Sequence, residues 1–228
     1  MQQQRFAEVF APLFDFLAHG LTLPSDEMVT LLRAGAYNRA ASELIEDIGL
    51  DSVDTCGFFL LEGANDVGNR EVLAALKREY TRLFTSPSGA VVPIWESTFL
   101  AAQSGDDANT VLLRSPQSVD AARRYSESGF ALVSHESADH MRIECEFCSI
   151  LLLRSVDAKT EEERNIAYNR FIRFAQVHLS RWFVSFFGQV SKHSHHPFYS
   201  SLGAMGSLAG ASMLEQLQSE LANQLNRR

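Results

Sequence analysis

Cysteine is scarce in this chain, and its scarcity excludes a disulfide framework. The 228 residues include three cysteines, Cys56, Cys145 and Cys148, which is an odd number and too few for a set of structural disulfides. A reducing compartment is the simplest interpretation. No stretch approaches the ~18 uninterrupted apolar residues of a membrane span, and the first residues lack the apolar core of a secretory signal. We therefore expect a cytoplasmic protein that does not insert into membranes.

Positive charge is in the minority, because 20 Lys+Arg face 28 Asp+Glu and the formal net charge is -8. Nucleic acid and anionic membranes repel such a chain, so both are disfavoured as partners. The phosphate-binding patterns G-x-x-x-x-G-K-[ST] and G-x-G-x-x-G are absent, and so is the G-x-S-x-G of serine hydrolases. The charge instead favours a basic partner, which it attracts over about one Debye length, ~8 Å in cells.

The apolar residues recur at helical spacing. In the first segment they form a stripe with a period of 3.6 residues, made by Phe6, Val9, Phe10, Leu13, Phe14 and Leu17. No two-residue alternation persists along the chain, and no repeat that would indicate a solenoid is present. The sequence therefore predicts an all-α fold, with residues 1–228 forming one globular domain of about nine or ten helices.

Local signals predict where several helices begin and end. The predicted N-termini lie at Ser25, at Ser115 followed by Pro116, and at Thr160, which forms a capping box with Glu163. Gly20 is expected to end the first helix in the left-handed conformation, and Gly129 is expected to close the helix that follows Pro116. Near the C-terminus, Pro197 is predicted to start one helix and Ser212 a second, separate one that runs to Asn226.

A C-x-x-C pattern offers one candidate metal site. Cys145 and Cys148 share a helix face, and the histidines among residues 193–196 could supply further ligands. A metal-dependent enzyme is therefore an alternative function. Core packing is the favoured interpretation, because cysteine is often buried and both thiols flank an inward Phe147.

Acidic and aromatic residues form a second set of candidates. Asp139 and His140 follow Glu136 at the mouth of a predicted helix, where Asp139 is a plausible N-cap and His140 a plausible base or pH-sensitive binding group. Trp95, beside Glu96, either fills the core or serves as an aromatic anchor for a basic and apolar peptide. The sequence leaves both alternatives open.

Five motifs together resemble one known family. They are Arg78-Glu-Tyr80-x-x-Leu83-Phe84, Pro93-x-Trp95-Glu96-Ser97, Glu136-Ser-Ala-Asp139-His140, Glu144-Cys-Glu146-Phe147 and His178-Leu179-x-x-Trp182. This set is similar to the TorD/DmsD family of cytoplasmic chaperones for molybdenum enzymes, the redox-enzyme maturation proteins. Two departures stand out: Ser137 replaces a proline of that pattern, and Cys145 and Cys148 replace leucine and methionine.

The resemblance implies a chaperone and not an enzyme. It implies binding of the twin-arginine signal peptide of a molybdopterin oxidoreductase, whose apo form is held for cofactor insertion before export. The expected peptide-binding residues are Trp95, Glu96, Phe99, Glu136, Asp139 and His140, of which the carboxylates would accept guanidinium groups. No metal and no cofactor are expected, and GTP binding is implied by the resemblance alone.

The resemblance also bears on domain organisation. We expect two helical halves, about 1–128 and 140–228, joined by a hinge over 129–139. The family occurs as monomers and as domain-swapped dimers, and both states stay open for this chain.

Overall fold

The fold is built from helices throughout the part of the chain that the computed structural model describes, residues 2–50, 56–59, 68–105, 115–133 and 136–225. This confirms the predicted all-α class. The helices are α1 (Gln2–Gly20), α2 (Asp26–Arg33), α3 (Ala36–Ile48), α4 (Cys56–Phe59), α5 (Asn69–Tyr80), α6 (Glu96–Ser104), α7 (Pro116–Glu127), α8 (Met141–Val156), α9 (Glu161–Phe174), α10 (Ser180–His193) and α11 (Pro197–Leu225). A π-helical turn, Thr81–Thr85, extends α5, and another, Ala175–Leu179, joins α9 to α10.

The predicted helix caps are confirmed. Their hydrogen bonds run to the side chain of Ser25 from Met28 N, to Ser115 from Ser118 N, and to Thr160 from Glu163 N, with the reciprocal Glu163 bond completing the capping box. Gly129 follows α7 with a φ of 74°, as expected of a left-handed terminator. These signals act between residues close in sequence, so they could be recognised before the fold was known.

Gly20 is explained by packing, and the prediction that it ends α1 in the left-handed conformation is wrong. It is helical and has no positive φ. A Cβ at this position would lie 2.5 Å from Leu202 Cδ1 of α11. Glycine therefore allows α1 and α11 to approach each other closely.

The C-terminal segment is a single helix, so the predicted break between Pro197 and Ser212 is wrong. Gly203, Gly206 and Gly210 lie inside α11 and weaken its intrinsic helix propensity. They face α10, where a Cβ at any of the three would lie within 2.5 Å of an α10 atom. Tertiary packing thus keeps α11 continuous. Asn226, the predicted end of the last helix, lies outside the described residues.

The core is rich in aromatic rings. Phe14 of α1 contacts Phe171 of α9 and Phe183 of α10 at centroid distances of 5.8 Å. Helix α1 also packs along α8, and α10 packs along α11. The proposed division into two halves stays a prediction. No helix in the described ranges has both the length and the apolarity needed to cross a bilayer.

Candidate functional site

Two of the sequence motifs meet through their backbones. Trp95 and His140 form an isolated antiparallel bridge, in which Glu96 N donates to Asp139 O at 2.8 Å and Met141 N donates to Ile94 O at 2.9 Å. These residues immediately precede α6 and α8. The bridge therefore fixes the beginnings of the two helices side by side and brings the W-E-S and D-H motifs together.

Asp139 stabilises the beginning of α6 and not that of its own helix. Its Oδ2 accepts hydrogen bonds from Ser97 N at 3.1 Å and from the hydroxyls of Ser97 and Ser115 at 2.6 and 3.4 Å. Ser137, which stands where the resembling family has proline, donates to Oδ1. The side chain is buried. A negative group at a helix N-terminus is favourable, so Asp139 couples α6 to the segment before α8.

His140 is the N-cap of α8, so the interpretation of Asp139 as that cap is wrong. The Nδ1 atom of His140 accepts from Arg142 N at 3.1 Å. Burial, followed by the positive charge of Arg142, lowers the pKa of His140 to about 3, although Asp139 opposes the shift. The ring is therefore neutral near pH 7, where it acts as a hydrogen-bond acceptor.

Trp95 and Glu136 are the predicted peptide-binding residues that reach the surface. The indole of Trp95 is half-buried and meets the His140 ring edge-on at 5.9 Å. The Glu136 side chain is 46% exposed, and its Oε2 lies 4.0 Å from His140 Nε2. We name these two residues and Ser137, which lies between Glu136 and the bridge, the Trp95–Glu136 surface.

Glu96 and Phe99 lie beneath this surface. The Glu96 side chain is fully buried, with Oε2 2.6 Å from His178 Nδ1 and Oε1 3.5 Å from a guanidinium nitrogen of Arg181. Phe99 packs against Trp182 at a centroid distance of 5.6 Å. The partners of both side chains lie in α10 or in the turn before it. Glu96 and Phe99 therefore hold the beginning of α6 against α10.

His178 lies in the π-helical turn between α9 and α10. Its Nε2 is 3.1 Å from Asp120 Oδ2, so each ring nitrogen faces a carboxylate. Burial acts to raise the pKa of Asp120, but hydrogen bonds from Arg124, Arg123 and His178 lower it well below its usual value. A π-helical turn is often found at a functional position, and here it places the imidazole between α6 and α7.

Glu144 completes the buried network from α8. Its Oε2 accepts from Trp182 Nε1 at 3.1 Å, whereas its Oε1 has no hydrogen-bond partner among the described residues. Burial raises the pKa of Glu144 well above its usual value, and the negative charges of Glu96 and Asp139 raise it further. The motifs that contain Glu144 and His178 can be recognised in the sequence, whereas the proximity of these two side chains cannot.

The sequence of the chain matches one protein-family model. The family model described as "Nitrate reductase delta subunit" matches residues 58–188, which is more than half of the chain. The chain belongs to the nitrate reductase delta subunit family. This is a family of chaperones for molybdoenzyme maturation that includes the TorD type, so the resemblance seen in the motifs is confirmed. No curated protein matches the chain.

The match to the delta-subunit family covers all residues of the buried network around Glu96, Glu144 and His178. These three residues also form a group that could hold a metal ion. Glu96, Glu144 and His178 each offer one donor atom, and these atoms lie within 4.8 Å of one another. Cys145 and Cys148 join no such group among the described residues. Both are buried free thiols whose pKa is raised well above its usual value by burial. The prediction that they pack in the core is confirmed.

Among the surface clefts lined by the described residues of this delta-subunit family member, two bear on peptide binding. One, of about 310 Å³, lies between residues 130–133 and α8 and includes Val133, whose side chain is 91% exposed. The other, of about 420 Å³, lies between α1 and α3, where the carboxylates of Asp15, Glu43 and Asp47 surround an apolar floor. The first is close in the chain to Glu136, and the second lies on helices that contribute nothing to the Trp95–Glu136 surface.

Proposed function

We propose that this chain is a cytoplasmic chaperone that binds the twin-arginine signal peptide of a nitrate-reductase-type molybdoenzyme and holds its apo form for cofactor insertion. The carrying observation is the backbone bridge between Trp95 and His140, since the half-buried indole and the Glu136 carboxylate both lie next to the His140 ring. A twin-arginine leader combines two guanidinium groups with an apolar stretch. The Trp95–Glu136 surface offers an aromatic ring and a carboxylate, which complement both parts.

The six peptide-binding residues expected from the sequence then divide into two roles. In the proposal, Trp95 contacts the apolar part of the leader and Glu136 accepts a guanidinium group. The other four, Glu96, Phe99, Asp139 and His140, are buried. They position the surface from below, and their hydrogen bonds and ring contacts prevent them from reaching a peptide without rearrangement.

The expected energies fit reversible binding. Burying ~400 Å² of apolar leader surface contributes ~10 kcal/mol at ~25 cal/mol per Å². Association and ordering of a flexible peptide oppose this by several kcal/mol. Micromolar affinity needs about -8.2 kcal/mol in total, so the apolar contact and one or two charge-assisted hydrogen bonds are sufficient. Moderate affinity also allows the client to be released.

A titration of the full chain with a synthetic twin-arginine leader tests the proposal. We expect binding in the micromolar range by calorimetry, weaker binding of a Lys-Lys leader, and at least tenfold weaker binding by Trp95→Ala. Far-UV circular dichroism of this variant should match the wild type. Failure of both leaders to bind would reject leader recognition.

A pair of charge reversals tests where the leader binds. Glu136→Lys should weaken binding about tenfold or more, whereas Glu43→Lys, which makes the same charge change at the α1–α3 cleft, should leave it within about twofold. The opposite ranking would move the binding site to the α1–α3 cleft.

A domain-swapped dimer and GTP binding stay predictions. Light scattering tests the first, and equilibrium binding of labelled GTP tests the second.

A further inference from the structure

We propose that Glu96, Glu144 and His178 bind a first-row divalent metal ion, preferably Zn²⁺, beneath the Trp95–Glu136 surface. The three side chains come from α6, α8 and the π-helical turn between α9 and α10, and all are buried. Their facing donor atoms are Glu96 Oε2, Glu144 Oε1 and His178 Nδ1. These ligands are distinct from the thiols and histidines considered from the sequence.

The strongest support is that the second polar atom of each ligand, the one that does not face the other ligands, already has a neighbouring partner. Arg181 lies 3.5 Å from Glu96 Oε1, and Trp182 Nε1 donates to Glu144 Oε2 at 3.1 Å. His178 Nε2 lies 3.1 Å from Asp120 Oδ2. Metal-binding histidines usually donate their second N–H to a carboxylate, and metal-binding carboxylates usually accept outer hydrogen bonds. This outer set orients one donor of each ligand toward a common point.

A second, independent observation is the state of Glu144 Oε1. This oxygen belongs to a fully buried side chain and has no hydrogen-bond partner among the described residues. Buried polar atoms in native proteins are nearly always satisfied, and an exception calls for a water or an ion as its explanation. The oxygen points toward His178 Nδ1, 4.0 Å away, which is too far for a hydrogen bond.

The donor distances allow the site to form with small shifts. Zinc bonds to nitrogen and carboxylate oxygen are about 2.0–2.2 Å, so tetrahedral donors lie about 3.3 Å apart. His178 Nδ1 is 2.6 Å from Glu96 Oε2 and 4.0 Å from Glu144 Oε1. One distance must lengthen and the other must shorten by about 0.7 Å. Water would supply the fourth ligand.

The donor set decides the class of metal. One imidazole and two carboxylates suit Zn²⁺ and its first-row neighbours, whereas Mg²⁺ prefers oxygen ligands and retains several waters. The ion binds the carboxylate form of Glu144 and an unprotonated His178 Nδ1, so any proton on these atoms leaves as the ion enters. In the metal-bound form, the Nε2 atom of His178 would donate its hydrogen to Asp120. Arg181 is 49% exposed and lies on the outer side of Glu96, so its movement would open a path for the ion.

The test loads the chelator-treated full chain with ZnCl₂, removes free metal by gel filtration, and measures zinc by mass spectrometry. We expect about one zinc ion per chain in the wild type and less than a tenth of that in Glu144→Gln. Glu146→Gln, on the same helix but with a 43% exposed side chain, is the matched control and should retain zinc. The double variant Cys145→Ser/Cys148→Ser should also retain it.

Cobalt substitution tests the wild type without depending on how a variant folds. Co²⁺ in this site should give visible ligand-field bands without the near-ultraviolet charge-transfer band of a cobalt thiolate. No stoichiometric zinc in the wild type, loss of zinc in the cysteine variant, or a cobalt thiolate band would each overturn the proposal. Leader binding is measured separately, so failure of this site leaves the proposed chaperone function intact.

Discussion

At the residue scale, Asp139 shows how a motif residue can serve the site without touching a ligand. Its carboxylate accepts one backbone N–H and three hydroxyl donors that come from three separate segments of the chain. Removing it would leave the beginning of α6 without its negative partner. The family motif is thus in part a stability motif.

We predict that Asp139→Ala lowers the free energy of unfolding by roughly 2–4 kcal/mol, because it leaves several buried donors unpaired. Urea denaturation followed by circular dichroism measures this change. Ser137→Ala removes one of the four hydrogen bonds and should lower it by only about 1 kcal/mol. Equal effects from the two variants would show that Asp139 does not organise the cluster.

Part of this site could be predicted from the sequence. The W-E-S and D-H motifs were placed in one site, and the Trp95–His140 bridge shows that they meet. The burial of Glu96 and Asp139 could not be predicted. Glu96 is paired with His178, 82 residues away, and Asp139 with Ser115, 24 residues away. Burial depends on such distant partners, whereas residue type and spacing describe only local chemistry.

At the element scale, glycine determines how closely α10 and α11 pack. A Cβ at Gly203 would lie 2.3 Å from Ser191 N, which is a backbone atom and cannot move aside as a side chain can. Gly188 in α10 differs, since the nearest atom to its Cβ would be Ser207 Oγ at 3.6 Å, an ordinary contact. Alanine at Gly203 and alanine at Gly188 are therefore predicted to have opposite effects on stability.

Gly203→Ala should lower the unfolding midpoint temperature by several degrees or prevent folding, because the two helices must separate. Gly188→Ala should leave the midpoint unchanged or raise it, since alanine favours a helix by about 1 kcal/mol over glycine. Differential scanning calorimetry compares them. A stable Gly203→Ala protein would contradict the close approach of α10 and α11.

The connection between α10 and α11 depends on a carboxylate of α5. Burial acts to raise the pKa of Glu79, but hydrogen bonds from Arg82, from His195 N and from Ser194 lower it to about 2. The unfolded chain binds a proton near pH 4.5, where the folded chain does not. The stabilisation by Glu79 is therefore complete above pH 4.5 and is lost as the pH falls toward 2.

We expect Glu79→Gln to flatten the acid side of the stability curve. Denaturation midpoints of the wild type should fall between pH 4.5 and pH 2 more steeply than those of the variant. Glu163→Gln, at the exposed capping box of α9, is a suitable control. If both variants keep the wild-type slope, Glu79 is not the group that responds to acid.

The helix caps could be predicted from the sequence better than the helix lengths. The Ser25, Ser115 and Thr160 caps are local and were correct. The continuity of α11 could not be predicted, because its glycines are typical of a helix break in the sequence. In the fold they leave room for the close approach of α10. Gly20 was misassigned for the same reason, since Leu202 explains it.

At the scale of the whole molecule, a net charge of -8 should make leader binding sensitive to salt. Screening shortens the Debye length from about 10 Å at 0.1 M to 3 Å at 1 M salt, which weakens the contact of arginine with exposed carboxylates. Apolar contacts are not screened. We predict that raising NaCl from ~0.05 to ~0.5 M weakens binding of the twin-arginine leader several-fold. A Gln-Gln leader should change little, and an equal salt response of the two leaders would exclude a charge-based contact.

The π-helical turn at Ala175–Leu179 makes the chain length at this point critical. It holds one residue more than an α-helical path would, and each residue turns a helix by about 100°. Deleting one residue there would restore a regular helix and leave α10 close to its present orientation, whereas inserting one would rotate all of α10 by about 100°. Trp182 and Phe186 would then swing out of the core. Insertions in this turn should accordingly be tolerated far less than changes in the identity of its residues.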